Sequence, residues 1–231
     1  MIRSARIRSA IIRSAWLSAP LFLFTSLALS QNQGHFDASI NGGPVFTKQS
    51  DGNGVQQSAT IGSNYFGTFR FRKKSGSRHS LIFNYGRAKN SQVYQTNFDY
   101  HILTKTTEYS GAYVYNFLNK GKFEAFALVG AGALDFYPTS TWLVLPDFVL
   151  NTPNRIQINL NAAKQTNLAY LYGGGVDYRL PWRFALRLQY RGLLYNAPDF
   201  KVNGVSGSAV SLSTGSKGHM AEPSVGLVFR F

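Results

Sequence analysis

From Pro223 to Phe231 an apolar side chain falls on every second position: Pro223, Val225, Leu227, Phe229 and Phe231. The residues between are small or polar, Ser224, Gly226 and Arg230, with Val228 the exception. This is the period-2 pattern of a strand with one greasy face and one polar face. An apolar strand with a free edge invites aggregation. A closed barrel removes that edge, because the last strand pairs with the first. The segment therefore points to an all-β fold closed on itself, and the next question is which way the greasy face looks.

The alternation recurs upstream. A first strand, about His35 to Phe46, sets Phe36, Ala38 and Ile40 against Asp37, Ser39 and Asn41, and Gly42-Gly43-Pro44 predicts a bulge or bend. A second, about 58–72, puts Tyr65, Gly67, Phe69 and Phe71 against Asn64, Thr68, Arg70 and Arg72, with Phe66 out of pattern. A third, about 79–88, shows Leu81, Phe83 and Tyr85 against Ser80, Asn84 and Gly86. The fourth is the clearest: Tyr109, Gly111, Tyr113, Tyr115 and Phe117 alternate with Glu108, Ser110, Ala112, Val114 and Asn116. The fifth, about 123–137, is apolar on both faces and could be a buried helix, but Gly130, Gly132 and the β-rich context favour a strand. A sixth, about 164–179, and a seventh, around 183–194, follow before the closing segment.

Eight strands result. Short turns at about 73–78, 118–122 and 180–182 alternate with long polar connections at about 48–57, 89–103, 138–163 and 196–218. That is a meander with all its long connections at one end. The bulky face is aromatic and aliphatic, whereas the other carries Arg, Glu, Asp, Asn and Gly. Small or hydrogen-bonding groups suit a narrow lumen and large apolar ones suit lipid, so a soluble lipocalin-type barrel, with its apolar face inward, fits less well. The expected fold is an eight-stranded antiparallel up-and-down transmembrane β-barrel, short turns periplasmic and long loops outside.

Composition agrees. Charged residues are 15%, against about 25% in soluble domains, and aromatics are also 15%. No stretch of 18 apolar residues follows the N-terminal region, so no helical anchor is expected in the mature chain. Residues 1–30 read as a cleaved secretory signal peptide: Arg3, Arg6, Arg8 and Arg13, then an apolar run from Trp16 to Leu29, then Ala28-Leu29-Ser30 ahead of Gln31. That leaves 31–231 as the barrel domain. The net charge is +14, and removing the four leader arginines leaves +10. Anionic lipid headgroups, including those of lipopolysaccharide, are the partners this charge suits. Nucleic acid is not expected, because there is no basic helix or compact basic-aromatic module.

The chain resembles the small eight-stranded outer-membrane barrel superfamily, the OmpA/OmpX/OmpW-like proteins, over about 34–231. The end, Val225-Gly226-Leu227-Val228-Phe229-Arg230-Phe231, resembles the C-terminal signal read by the barrel-assembly machinery. The resemblance implies an outer-membrane location in a Gram-negative-type bacterium, a monomer, and Val225, Leu227, Phe229 and Phe231 as the assembly signal. No periplasmic peptidoglycan-binding domain is expected after the barrel.

The candidate chemistry is a lumen charge network: Arg70, Glu108, Glu124, Asp177, Arg183, Arg187, Arg191, Glu222 and Arg230, with Asp177 and Arg183 facing each other across the Pro181 turn. Charges in a narrow interior must pair or carry a large desolvation cost. They form either a structural salt-bridge plug or a selective solute path. No enzyme activity is expected. His79 and Ser80 point to opposite faces of one strand. No spacing of His, Asp and Glu suggests a metal, the chain has no cysteine, and neither Gly130-Ala131-Gly132 nor Gly173-Gly174-Gly175 is a phosphate loop, so no cofactor is expected. The expected role is a membrane-embedded scaffold presenting extracellular loops for structural or interaction purposes, the alternative a narrow porin-like channel.

Overall fold

The structure is a computed structural model and describes residues 36–73, 77–145, 156–203 and 209–231. The expected leader, His35 and parts of the two longest connections lie outside the described residues. Among the described residues the strands are, in chain order, β1 (Phe36–Thr47), β2 (Ser50–Gly52), β3 (Val55–Ala59), β4 (Gly62–Arg72), β5 (His79–Gln95), β6 (Asp99–Lys120), β7 (Phe123–Leu145), β8 (Ile156–Ala162), β9 (Gln165–Arg179), β10 (Phe184–Asn196), β11 (Phe200–Asn203), β12 (Ala209–Leu212) and β13 (Lys217–Arg230).

Eight of these make the wall. β1 pairs with β4, and the ladder runs on through β5, β6, β7, β9, β10 and β13, each pair antiparallel. β13 then pairs back onto β1, Ala38 opposite Phe229 and Ile40 opposite Leu227, so the sheet closes. Beyond it, Phe231 and Phe36 exchange two backbone hydrogen bonds of 3.0 and 3.2 Å. The barrel is the expected eight-stranded up-and-down one.

The predicted bulge at Gly42-Gly43-Pro44 is absent. β1 pairs with β4 in one register from Phe36 to Val45. Pairing to β13 lapses between Gly42 and Phe46 without a register shift, and that register sets Pro44 against Pro223. Neither proline has an N–H to donate, which accounts for the gap. Register shifts occur instead between β6 and β7, at Leu103/Thr104 and at Asn116/Leu118.

The connection expected at 89–103 is mostly strand. β5 continues to Gln95 and β6 begins at Asp99, giving a hairpin in register throughout. β6 and β7 are 22 and 23 residues long, about twice the 9–11 residues that cross a bilayer. The sheet therefore continues well past the eight-stranded belt. β3 pairs with upper β5, β8 with upper β7, and β11 with β8 and β12. The wall of this extension surrounds an apolar core that includes Val45, Ile102, Phe136, Phe200, Val202 and Leu212. Tyr94 lies edge-on to Phe200, centroids 5.9 Å apart, and its hydroxyl donates to Gln92 Oε1 at 2.8 Å. Burial pushes that phenol well above its ordinary range, so it remains a donor.

Candidate functional site

Strand alternation sorts the side chains of the belt. Ile40, Phe83, Tyr113, Val129, Tyr170, Leu188 and Val225 look outward and are exposed, Ile40 by 76% and Leu188 by 64%. Every wall strand adds to this face except where glycine interrupts it. At the short-turn end it finishes in an aromatic row. Phe36 stacks between Phe69 (5.5 Å) and Phe71 (5.3 Å), and Phe231, Phe229 and Phe184 continue the row at 6.2, 5.6 and 5.4 Å.

The inward face is charged. Arg70, Glu108, Glu124, Asp177, Arg187, Arg191 and Glu222 are all buried, and Arg230 is 17% exposed at its side chain. Arg183 stands apart, exposed in the turn after β9. The turn takes residues 180–183, closed by Leu180 N–H to the Phe184 carbonyl at 3.0 Å. Asp177 consequently lies opposite Arg187 rather than Arg183. The Arg187 guanidinium grips it at both oxygens, Nε to Oδ1 at 2.7 Å and Nη2 to Oδ2 at 2.9 Å. Fork geometry of this kind is the strongest form of arginine–carboxylate contact.

Two clusters emerge. Near the short turns, Asp37, Glu124 and Asp177 meet Arg70, Arg72, Arg187 and Arg230. Arg72 Nη2 lies 2.8 Å from Asp37 and 2.9 Å from Glu124. Arg230 Nη2 bridges Glu124 at 3.0 Å and Asp177 at 3.2 Å. Arg70 donates to Ser80 Oγ and Asn116 Oδ1 at 2.8 and 2.6 Å. Four residues further along β10, about 13 Å, Arg191 is shared by Glu108 and Glu222, with Nη2 2.7 Å from Glu108 Oε2. Among these residues the lower cluster has one cation in excess and the upper one carboxylate in excess, and Arg179 at the rim adds a further cation 3.5 Å from Glu124.

An aromatic ring packs against the arginines of each cluster. Arg191 lies 3.6 Å over the Phe66 ring, and Arg70 and Arg187 lie 5.4 and 5.0 Å from that of Phe126. Each ring faces a glycine on the neighbouring strand, Phe66 opposite Gly86 and Phe126 opposite Gly175. A Cβ on Gly86 would sit 2.9 Å from the Phe66 Cβ, and one on Gly175 would sit 2.8 Å from the Phe126 ring. The glycines supply the room the rings occupy.

Sequence reasoning leaves Asp37 and Arg72 out of the network, although each lies on the polar side of its strand. It also treats Phe66 as an exception to the pattern. That exception is the signal, since an aromatic on the polar face of a barrel strand must find an interior partner, and here it is Arg191.

No protein-family model matches the chain, and no curated protein does. Solved structures do. The chain is similar to the outer membrane protein OprG from Pseudomonas aeruginosa at 13% identity, with 87% of this chain and 98% of that one covered and a TM-score of 0.55. A major outer membrane protein from Thermus thermophilus is 12% identical, with coverage of 85% and 99% and a TM-score of 0.52. The outer membrane protease OmpT from Escherichia coli is 7% identical, with coverage of 88% and 99% and a TM-score of 0.50. At such identities the likeness is one of fold, and the protease activity is a property of that protein. The chain is an eight-stranded antiparallel barrel with the fold of the outer-membrane β-barrel proteins.

Proposed function

We propose that the protein spans the outer membrane as a plugged barrel and serves as a scaffold, holding a folded β-extension outside the cell for structural or interaction roles. The observation that carries this is the change of polarity along the barrel axis. In the belt the exterior is apolar and the interior holds the charge network among buried side chains such as Ile82, Val114 and Leu128, whereas in the extension the exterior is polar and the apolar side chains turn inward. An exposed apolar band around a whole barrel needs hydrocarbon to cover it. An extension whose apolar core is continuous with the barrel interior is a rigid platform rather than a set of loose loops. Contact with outer-membrane lipids, lipopolysaccharide included, and assembly by the barrel-assembly machinery follow from this reading, with Val225, Leu227, Phe229 and Phe231 as the recognised segment.

The interior charges serve in this reading as the plug. Eight strands enclose only enough space for side chains to fill, and paired arginines and carboxylates bridge the cross-section. Planar-bilayer recording on refolded protein tests it. A silent barrel is expected. Discrete conductance steps altered by Arg187→Gln or Arg191→Gln would replace the scaffold with a narrow channel.

A further inference from the structure

The outward face of β4, β5, β6 and β7 changes character one rung at a time. Phe69, Phe83 and Gly111 form one cross-strand row, and Gly67, Tyr85 and Tyr109 the next toward the long-loop end. The row after that is Tyr65, Arg87 and Thr107, and then Ser63, Lys89, Lys105 and Tyr137. Apolar belt, tyrosine and cations thus follow one another within three rungs. Arg87, Lys89 and Lys105 are all exposed. Together with Tyr65, Tyr109 and Tyr137 they line an open cleft of about 520 Å³.

Lys89 and Lys105 are direct cross-strand partners. Like charges so placed repel and weaken the ladder. Arg87 is held in place from below, its Nε donating to the Tyr85 hydroxyl at 3.0 Å. The carboxylate in the cleft, Asp135, is already engaged by Lys164 at 3.3 Å and by the Thr166 hydroxyl at 2.5 Å. The cleft therefore carries uncompensated positive charge at the height where the apolar belt ends, which is the height of lipid phosphates.

We propose that Arg87, Lys89 and Lys105 bind the phosphate monoester of a membrane-lipid headgroup, of the kind carried by a phosphorylated outer-leaflet glycolipid. A monoester brings nearly two charges and three acceptor oxygens, which matches two ammonium groups on adjacent strands and one guanidinium. A phosphodiester lipid offers one charge and fewer free oxygens. The inference rests on the membrane-spanning reading above.

The test uses the barrel refolded in detergent, with heat-modifiable gel mobility confirming the fold, and native mass spectrometry to titrate four probes: bisphosphorylated lipid A, the same lipid dephosphorylated, phosphatidylglycerol and inorganic pyrophosphate. The phosphorylated lipid should bind tightest. Lys89→Gln and Lys105→Gln should each weaken it about fivefold, the equivalent of ~1 kcal/mol per surface cation. The double variant Lys201→Gln/Lys217→Gln, two exposed cations outside the cleft, should leave it unchanged. In lipid-free detergent Lys105→Gln should raise the melting temperature, because it relieves repulsion, and with lipid A the order should reverse. Equal binding of the dephosphorylated lipid, of phosphatidylglycerol or of pyrophosphate overturns the proposal. So does insensitivity to both lysine variants. If the barrel refuses to refold in detergent at all, it is the membrane reading that fails.

Discussion

Replacing Arg191 by methionine removes the cation that Glu108 and Glu222 share. All three side chains are nearly inaccessible, at 1%, 6% and 3% exposure. The guanidinium gives Glu108 two contacts, 3.3 and 2.7 Å, and covers the Phe66 ring at 3.6 Å. Without it two carboxylates stay buried beside each other. Breaking a buried pair from one side costs about 3–5 kcal/mol, most of it the stranded charge. Removing the whole triad is a different matter, since an uncharged set of similar volume avoids desolvation altogether. The variant Arg191→Met/Glu108→Gln/Glu222→Gln should therefore recover most of the loss. Urea unfolding of refolded protein in lipid vesicles, followed by fluorescence of Trp142 and Trp182, reads both. A single variant that loses less than about 1 kcal/mol would mean that water already reaches the triad, and the plug would have to be abandoned for an open path.

Other outcomes follow from the same geometry. Val129→Arg, on the exposed face of β7, should cost about 2–4 kcal/mol in vesicle unfolding and Thr107→Arg, above the belt, less than about 1 kcal/mol; equal costs would contradict the placement of the belt. Gly86→Ala should destabilise by about 1–3 kcal/mol in the same unfolding assay, because the added methyl meets the Phe66 Cβ across the ladder; a neutral change would mean that the two strands part there at no cost. Phe231→Ala should lower the amount of folded barrel in outer membranes more than it lowers refolding yield in detergent, if this residue is read during assembly; equal losses would make it structural only.

Much of this fold was legible because a barrel wall imposes one simple rule. Each side chain faces lipid or lumen, and the faces of β4, β6 and β13 can be read off Tyr65/Arg70, Tyr113/Glu108 and Leu227/Ser224. The rule breaks where the surroundings change. In the upper halves of β5, β6 and β7 apolar side chains lie inside and the exterior is wet, so Lys89, Ser91 and Gln95 read as a polar loop although they lie in continuous strand. The network was legible in its members on clear strands. Its partners were not, because pairing depends on register. Four turn residues between β9 and β10 set Asp177 on Arg187 and leave Arg183 in solvent. Phe66 and Phe126 were inconspicuous for another reason: their fit depends on Gly86 and Gly175 across the ladder, a relation with no trace along a single strand.

In the proposed arrangement the belt meets lipid and the extension does not. The chain has no cysteine, so single cysteines can be introduced at Leu81, Val129 and Leu188 in the belt and at Lys201 in the extension, then labelled with a fluorophore in refolded vesicles containing brominated lipid. Strong quenching at the three belt positions and none at Lys201 is the predicted result. Weak quenching at the belt, or equal quenching at all four, would contradict it.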